Sequence, residues 1–130
     1  MDKYRVIFSY DKDYLSDYEF RKKLSRCLLN LHSRRGWLYF GAFCRSPGMN
    51  LLHFYGILYV PKGEMVGALV KFYKSSLDCY NTFFEKRFGF CKFRQFEDNY
   101  SCNNVVGYIK ELKHKEGILC SKKLRQEFNI

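Results

Sequence analysis

The chain has 130 residues, a length that suits one compact domain. Hydrophobic residues make up 47% and aromatic residues 19% of it, which is enough apolar material for a core and argues against long disorder. The formal net charge is +10, from 23 Lys and Arg against 13 Asp and Glu. A body this basic attracts polyanions, among which nucleic acid is commoner than an anionic membrane surface. We therefore expect one nucleic-acid-binding domain over residues 1–130, without membrane association.

The sequence also lacks the patterns typical of membrane and secreted proteins. No stretch is long and apolar enough to span a bilayer, and the first residues lack the apolar core and cleavage site of a signal peptide. No two cysteines have CxxC spacing, so a zinc site is weakly supported. We expect free thiols in the reducing environment of the cytoplasm. The cysteines are Cys27, Cys44, Cys79, Cys91, Cys102 and Cys120.

The first half of the chain predicts a strand, a helix and a hairpin. Residues 4–10 alternate in the manner of a strand, with Val6 and Phe8 on one side. Ser16 and Glu19 form a capping box, and apolar residues follow at helical spacing until Gly36 ends the helix. Residues 37–44 and 51–60 read as two strands of a hairpin, joined by a turn over residues 46–50.

The second half predicts two more helices and one strand. Residues 66–73 are ambiguous and suit an extended segment, whereas residues 76–88 carry a helical apolar stripe that ends before Gly89. Residues 90–96 alternate and predict a strand. A last helix is expected to begin at Asn103 or Asn104 and to run to Leu112 or beyond, followed by a short basic tail from residue 118.

The element order is therefore β-α-β-β-α-β-α. A central hairpin flanked by strand–helix units predicts an α+β fold, in which a central antiparallel sheet carries flanking helices, mainly on one face.

Three segments stand in an order that points to chemistry. Residues 51–60 form a predicted strand with His53 and Tyr55 on one face. Residues 81–89 follow, and residues 106–111 then place Tyr108 on a helix. Together they resemble the Rep nicking domains of rolling-circle replication initiators, the HUH endonucleases of plasmids, phages and small circular-DNA viruses. The resemblance spans about residues 4–119 and implies a Rep-like, ferredoxin-like sheet.

The resemblance implies metal-dependent nicking of single-stranded DNA. In that family a strand presents His-hydrophobic-His, or His-hydrophobic-Gln, to a divalent metal, and a later helix presents a nucleophilic tyrosine. Carried over to this chain, His53, Tyr55 and Cys44 would hold Mn²⁺ or Mg²⁺. The metal would polarise a phosphate, and Tyr108 would attack it to form a phosphotyrosine.

The sequence departs from that pattern in ways that predict weakened or lost nicking. Tyr55 replaces the second His or Gln, and a neutral phenol is a poor ligand for hard divalent ions. No Asp or Glu stands between Trp37 and Lys62 to supply the family's carboxylate ligand. Glu111, not Lys, follows Tyr108 by one turn, while Lys115 shares its face only if the helix continues.

Cations form three groups that suit phosphate contacts, although runs of charge are more often solvated faces. One group lies on the first helix and one lies near Tyr108. The third is interleaved with phenylalanines, which suits the binding of single-stranded nucleic acid. The candidates are Arg21, Lys22, Arg34, Arg35, Lys86, Arg87, Lys92, Arg94, Lys110, Lys113 and Lys115.

Three functions remain open from the sequence. The first is a Rep-like protein of a plasmid or phage that binds single-stranded or hairpin DNA, with nicking weakened or lost. The second is an active nickase that forms an adduct through Tyr108. The third is a phage-encoded inhibitor that reuses the Rep fold against a host defence nuclease, in which case a host nucleic-acid-processing protein would be the partner.

Overall fold

The computed structural model describes residues 1–10, 12–13, 15–45, 50–64 and 91–130. The predicted helix over residues 76–88, the ambiguous segment over 66–73 and most of the turn over 46–50 lie outside these residues. The described elements, in chain order, are β1 (Asp2–Phe8), α1 (Asp17–Arg35), β2 (Leu38–Arg45), β3 (Leu52–Val60), β4 (Cys91–Gln95), α2 (Asn99–Glu111), β5 (Ile118–Cys120) and α3 (Lys122–Phe128).

The described strands form one antiparallel sheet in the order β4-β1-β3-β2-β5. The β2–β3 hairpin is present, and β3 lies between β1 and β2, which α1 connects. This insertion of one strand between two others joined by a helix is the split β-α-β arrangement of ferredoxin-like sheets. The predicted α+β class, with a central antiparallel sheet and flanking helices, is confirmed.

The helices cover both faces of the sheet, so the prediction that they pack mainly on one face is wrong. On the first face α1 packs against Val6, Phe8 and Phe54. On the second face α2 and α3 pack against Phe40 and Ile57. The cause lies in β2 and β3, in which both the odd-numbered and the even-numbered residues are buried, so both faces of these strands are apolar. Near-continuous apolar runs of this kind are typical of strands covered on both sides.

Helix α1 begins and ends as its sequence predicts. The Ser16 hydroxyl accepts from the Glu19 amide at 3.1 Å, and the Glu19 carboxylate accepts from the Ser16 amide at 3.3 Å. Gly36 adopts the left-handed conformation, with φ 71°, that closes the last turn. The predicted inward residues are buried; they are Phe20, Leu24, Cys27, Leu28 and Leu31.

The last part of the chain differs from prediction. Helix α2 begins at Asn99, because the Asp98 side chain accepts from the Ser101 amide at 2.7 Å and caps the helix. This cap precedes Asn103 and Asn104, the caps that we expected, by about one and a half turns. The segment expected as a basic tail forms β5 and α3, with Cys120 and Leu124 buried on the second face. Among the described helices, none is long and apolar enough to cross a membrane.

Two glycines let the hairpin of β2 and β3 come close to an aromatic ring. Gly41 and Gly56 lie opposite each other in the register, and a Cβ at either position would collide with the ring of Phe54. A Cβ at Gly56 would also lie 2.6 Å from the carbonyl oxygen of Phe40. Phe54 itself is fully buried, so neither clash has an easy relief.

Candidate nucleic-acid interface

The side chains of His53 and Tyr55 both point to the second face of the sheet, as their spacing on β3 predicts. Both are partly buried. Cys44 is the cross-strand neighbour of His53 on β2, and its Sγ lies 3.2 Å from His53 Nε2. The structure therefore brings together the three residues to which the sequence assigned a metal.

Helix α2 adds Tyr108 to the same place. Val106 and Ile109 are buried against the second face, which leaves Tyr108 on the flank of the helix with 58% of its surface exposed. Its ring stands edge-on to that of Tyr55, with the ring centroids 6.0 Å apart and the planes at 82°. Sequence order alone could not show this proximity, since the two residues belong to different elements.

These donors do not fit Mn²⁺ or Mg²⁺. Burial, together with the negative charge of Glu116, raises the pKa of the Cys44 thiol, and a protonated thiol is a poor metal ligand. The hard ions prefer carboxylate and carbonyl oxygens. Within the part of the chain that the structure describes, no three His, Cys, Asp or Glu side chains lie close enough together to hold a metal ion.

A cationic groove runs beside this cluster on the second face. Arg5 and Ile7 of β1 lie opposite Arg94 and Lys92 of β4, and Ile7 in turn lies opposite Tyr55 of β3. These β1 and β4 residues line an open cavity of about 480 Å³, which we call the β1–β4 groove. Lys92 and Arg94 are exposed and Arg5 is partly so, hence a polyanion can reach them.

The cations of α1 lie on the opposite side of the sheet from Tyr108. Arg21 donates to the Glu116 carbonyl at 2.6 Å and lies 3.3 Å from its carboxylate. Arg35 forms an ion pair of 2.9 Å with Glu64. Lys22 lies over the ring of Tyr18, and Arg34 is exposed.

The cations near the end of α2 are partly engaged by backbone. Lys110 donates to the Phe128 carbonyl at 3.0 Å, and Lys115 donates to the Lys110 carbonyl at 2.7 Å. Because α2 ends at Glu111, Lys115 does not lie on the helical face of Tyr108, while Lys113 is exposed. The remaining candidates, Lys86 and Arg87, lie outside the described residues.

Arg5 belongs to this site but was absent from the sequence-based set. A detectable signal existed, because alternation on β1 puts residue 5 on the face opposite Val6 and Phe8. What the sequence could not provide was the pairing of β1 with β4, which sets Arg5 beside Arg94.

No family model matches the chain, and neither a curated protein nor a solved structure matches it.

Proposed function

We propose that this chain is a Rep-like nucleic-acid-binding protein of a plasmid or phage, which binds single-stranded or hairpin DNA along the β1–β4 groove and in which nicking is weakened or lost. One observation carries the proposal. The cations Arg5, Lys92 and Arg94 share the second face with the neighbouring rings of Tyr55 and Tyr108. Cations beside accessible rings suit a single strand, whose phosphates pair with cations while its unpaired bases stack.

The chemistry of the donor set supports binding without nicking. Tyr108 is exposed, but Cys44 and His53 on the same face are hydrogen-bonded to each other. Lys110 and Lys115, which follow Tyr108, donate to backbone carbonyls. We therefore expect Tyr108 to act as a stacking surface.

The direct test is a binding titration by fluorescence anisotropy, with a labelled single-stranded or hairpin oligonucleotide at several salt concentrations. Three phosphate contacts predict a slope of about −2 when log affinity is plotted against log salt for a single strand. The double charge reversal Lys92→Glu with Arg94→Glu should abolish most binding and flatten the slope. Its matched control is Arg26→Glu with Arg34→Glu, which makes the same charge change on exposed positions of α1.

The control pair also separates the two cationic faces. Full binding by the α1 variant together with loss by the β4 variant supports the proposed groove. Loss by the α1 variant alone would place the strand on the first face and contradict it. Incubation of labelled DNA with Mn²⁺, followed by a denaturing gel, tests nicking, and a shifted band that disappears in Tyr108→Phe would show that the chemistry survives.

A further inference from the structure

Arg5 and Arg94 form an unbalanced pair of like charges at one end of the β1–β4 groove. They are direct cross-strand neighbours on the second face. Like charges in such positions repel each other and destabilise the strand pair. Within the described residues neither guanidinium has a hydrogen-bond or ion-pair partner, whereas Arg21, Arg35 and Arg45 all form ion pairs. An anion held between the two guanidinium groups would relieve this repulsion.

The two arginines also line a cleft of about 380 Å³, a volume within the usual range for small-ligand pockets. Ser101 and Asn104 of α2 form its side wall. The chain between β4 and α2 crosses its far end, where Phe96 and Glu97 line the cleft. The cleft is therefore walled at that end. In the other direction, Tyr108 stands one turn after Asn104, and the β1–β4 groove stays open.

We infer that this cleft binds the terminal phosphate of a nucleic-acid strand whose next nucleotides run along the β1–β4 groove toward Tyr108. The inference rests on the proposed function and adds the kind of strand end that the groove accepts. A strand that enters the cleft from the β1–β4 groove meets the residues between β4 and α2 at the far end of the cleft. We therefore expect the strand to finish there. Its terminal phosphomonoester then meets both guanidinium groups.

The charges and donors in the cleft agree with a strand end. A phosphomonoester carries about −1.5 to −2 charges at neutral pH, which two guanidinium groups match better than an internal phosphodiester does. Asn104 adds a side-chain amide donor on the helix side, whereas the Ser101 hydroxyl is already hydrogen-bonded to the Asp98 carboxylate. Glu97 also lines the cleft, where its carboxylate would repel a backbone that continued past that end. For a phosphate held between Arg5 and Arg94, the two guanidinium charges outweigh this single carboxylate. The Asp98 side chain caps α2, where it accepts from the Ser101 amide. The attraction for a phosphate in the cleft therefore comes from Arg5 and Arg94.

The test compares otherwise identical single-stranded oligonucleotides that carry a 5′-phosphate, a 3′-phosphate or only hydroxyl ends. Anisotropy titrations with the unaltered protein should show about tenfold tighter binding for one phosphorylated strand. Whichever of the two ends is preferred identifies the polarity of the bound strand. Equal affinity for all three strands would overturn the inference while leaving the proposed function intact. Absence of binding by every strand would overturn both.

Two variants assign the preference to the cleft. Arg94→Gln and Arg5→Gln should each abolish the difference between phosphorylated and hydroxyl ends, while binding of the hydroxyl-ended strand persists more weakly. The control Arg26→Gln, on α1 and away from the groove, should keep the full difference. A preference for phosphorylated ends that survives both Arg94→Gln and Arg5→Gln would place the phosphate elsewhere and overturn the inference.

Discussion

The ring of Tyr108 stands edge-on to the ring of Tyr55, with 6.0 Å between the centroids and 82° between the planes. Tyr55 lies on the central strand β3, and Tyr108 lies on the helix that packs against that strand. Because Tyr108 remains 58% exposed, this pair offers an aromatic surface beside the β1–β4 groove. The contact links the central strand of the sheet to the proposed nucleic-acid interface.

Replacement of Tyr108 should separate stacking from nucleophilic chemistry. Tyr108→Ala removes the exposed ring and should weaken single-strand binding by about 1–3 kcal/mol, or about 5- to 150-fold. Tyr108→Phe keeps the ring and should bind within about twofold of the unaltered protein. Anisotropy titrations at low salt measure both. Equal affinity in the two variants would show that the ring makes no contact with a base.

A methyl group at Gly56 should destabilise the fold. In Gly56→Ala the new Cβ meets the Phe40 carbonyl at 2.6 Å and the Phe54 ring at 2.8 Å, so the hairpin must shift. We expect a loss of about 1–3 kcal/mol in the free energy of unfolding, measured by urea denaturation.

Gly107→Ala is the matched control for that variant. A Cβ at Gly107 has nothing within 4 Å, and alanine favours a helix over glycine. This variant should gain up to about 1 kcal/mol. If both variants destabilised the protein equally, the cause could not be the close approach of β2 to β3.

Loss of the capping hydroxyl should loosen the start of α1. Ser16→Ala removes the acceptor for the Glu19 amide and leaves the Glu19 carboxylate without one of its partners. We expect the free energy of unfolding to fall by about 1 kcal/mol. Ser33→Ala, an exposed serine in the last turns of the same helix, should change it by less than about 0.5 kcal/mol.

Alkaline pH should destabilise the protein because several of its partly or fully buried thiol and phenol groups have raised pKa values. Burial raises the pKa of the Cys120 thiol to about 11 from an ordinary value of 9.0. It also raises the pKa of Cys44, Cys102 and Tyr39. A group with a raised pKa in the folded state stabilises fully below its ordinary pKa, and that contribution disappears as pH rises through the raised value.

The measurement is the urea midpoint under reducing conditions at about pH 7.5 and about pH 10.5. The midpoint should fall at the higher pH. The fall should be smaller in Cys120→Ala, which lacks that titrating group, even though its midpoint at neutral pH is lower because the core loses a buried side chain. Identical midpoints at the two pH values in the unaltered protein would contradict the expected titration.

The sequence by itself determined the local elements whose signals are short-range. The capping box at Ser16, the left-handed Gly36 and the alternation of β1 depend on neighbours within a few residues, and each appears as expected. His53 and Tyr55 are two residues apart on β3, and this spacing alone places their side chains on one face of the sheet. The misplaced start of α2 shows the limit of such signals, because Asp98 and two asparagines compete for the same capping role.

Only the tertiary structure decided which of these residues meet. The strand order placed Arg5 beside Arg94, the packing of α2 on β3 placed Tyr108 beside Tyr55, and the cations of α1 came to lie on the other face. Pairing between distant strands depends on the total apolar area that both faces can bury, which no local pattern encodes. For that reason Lys92, Arg94, Tyr55 and Tyr108 could be named from the sequence, whereas Arg5 and the groove that these residues form could not.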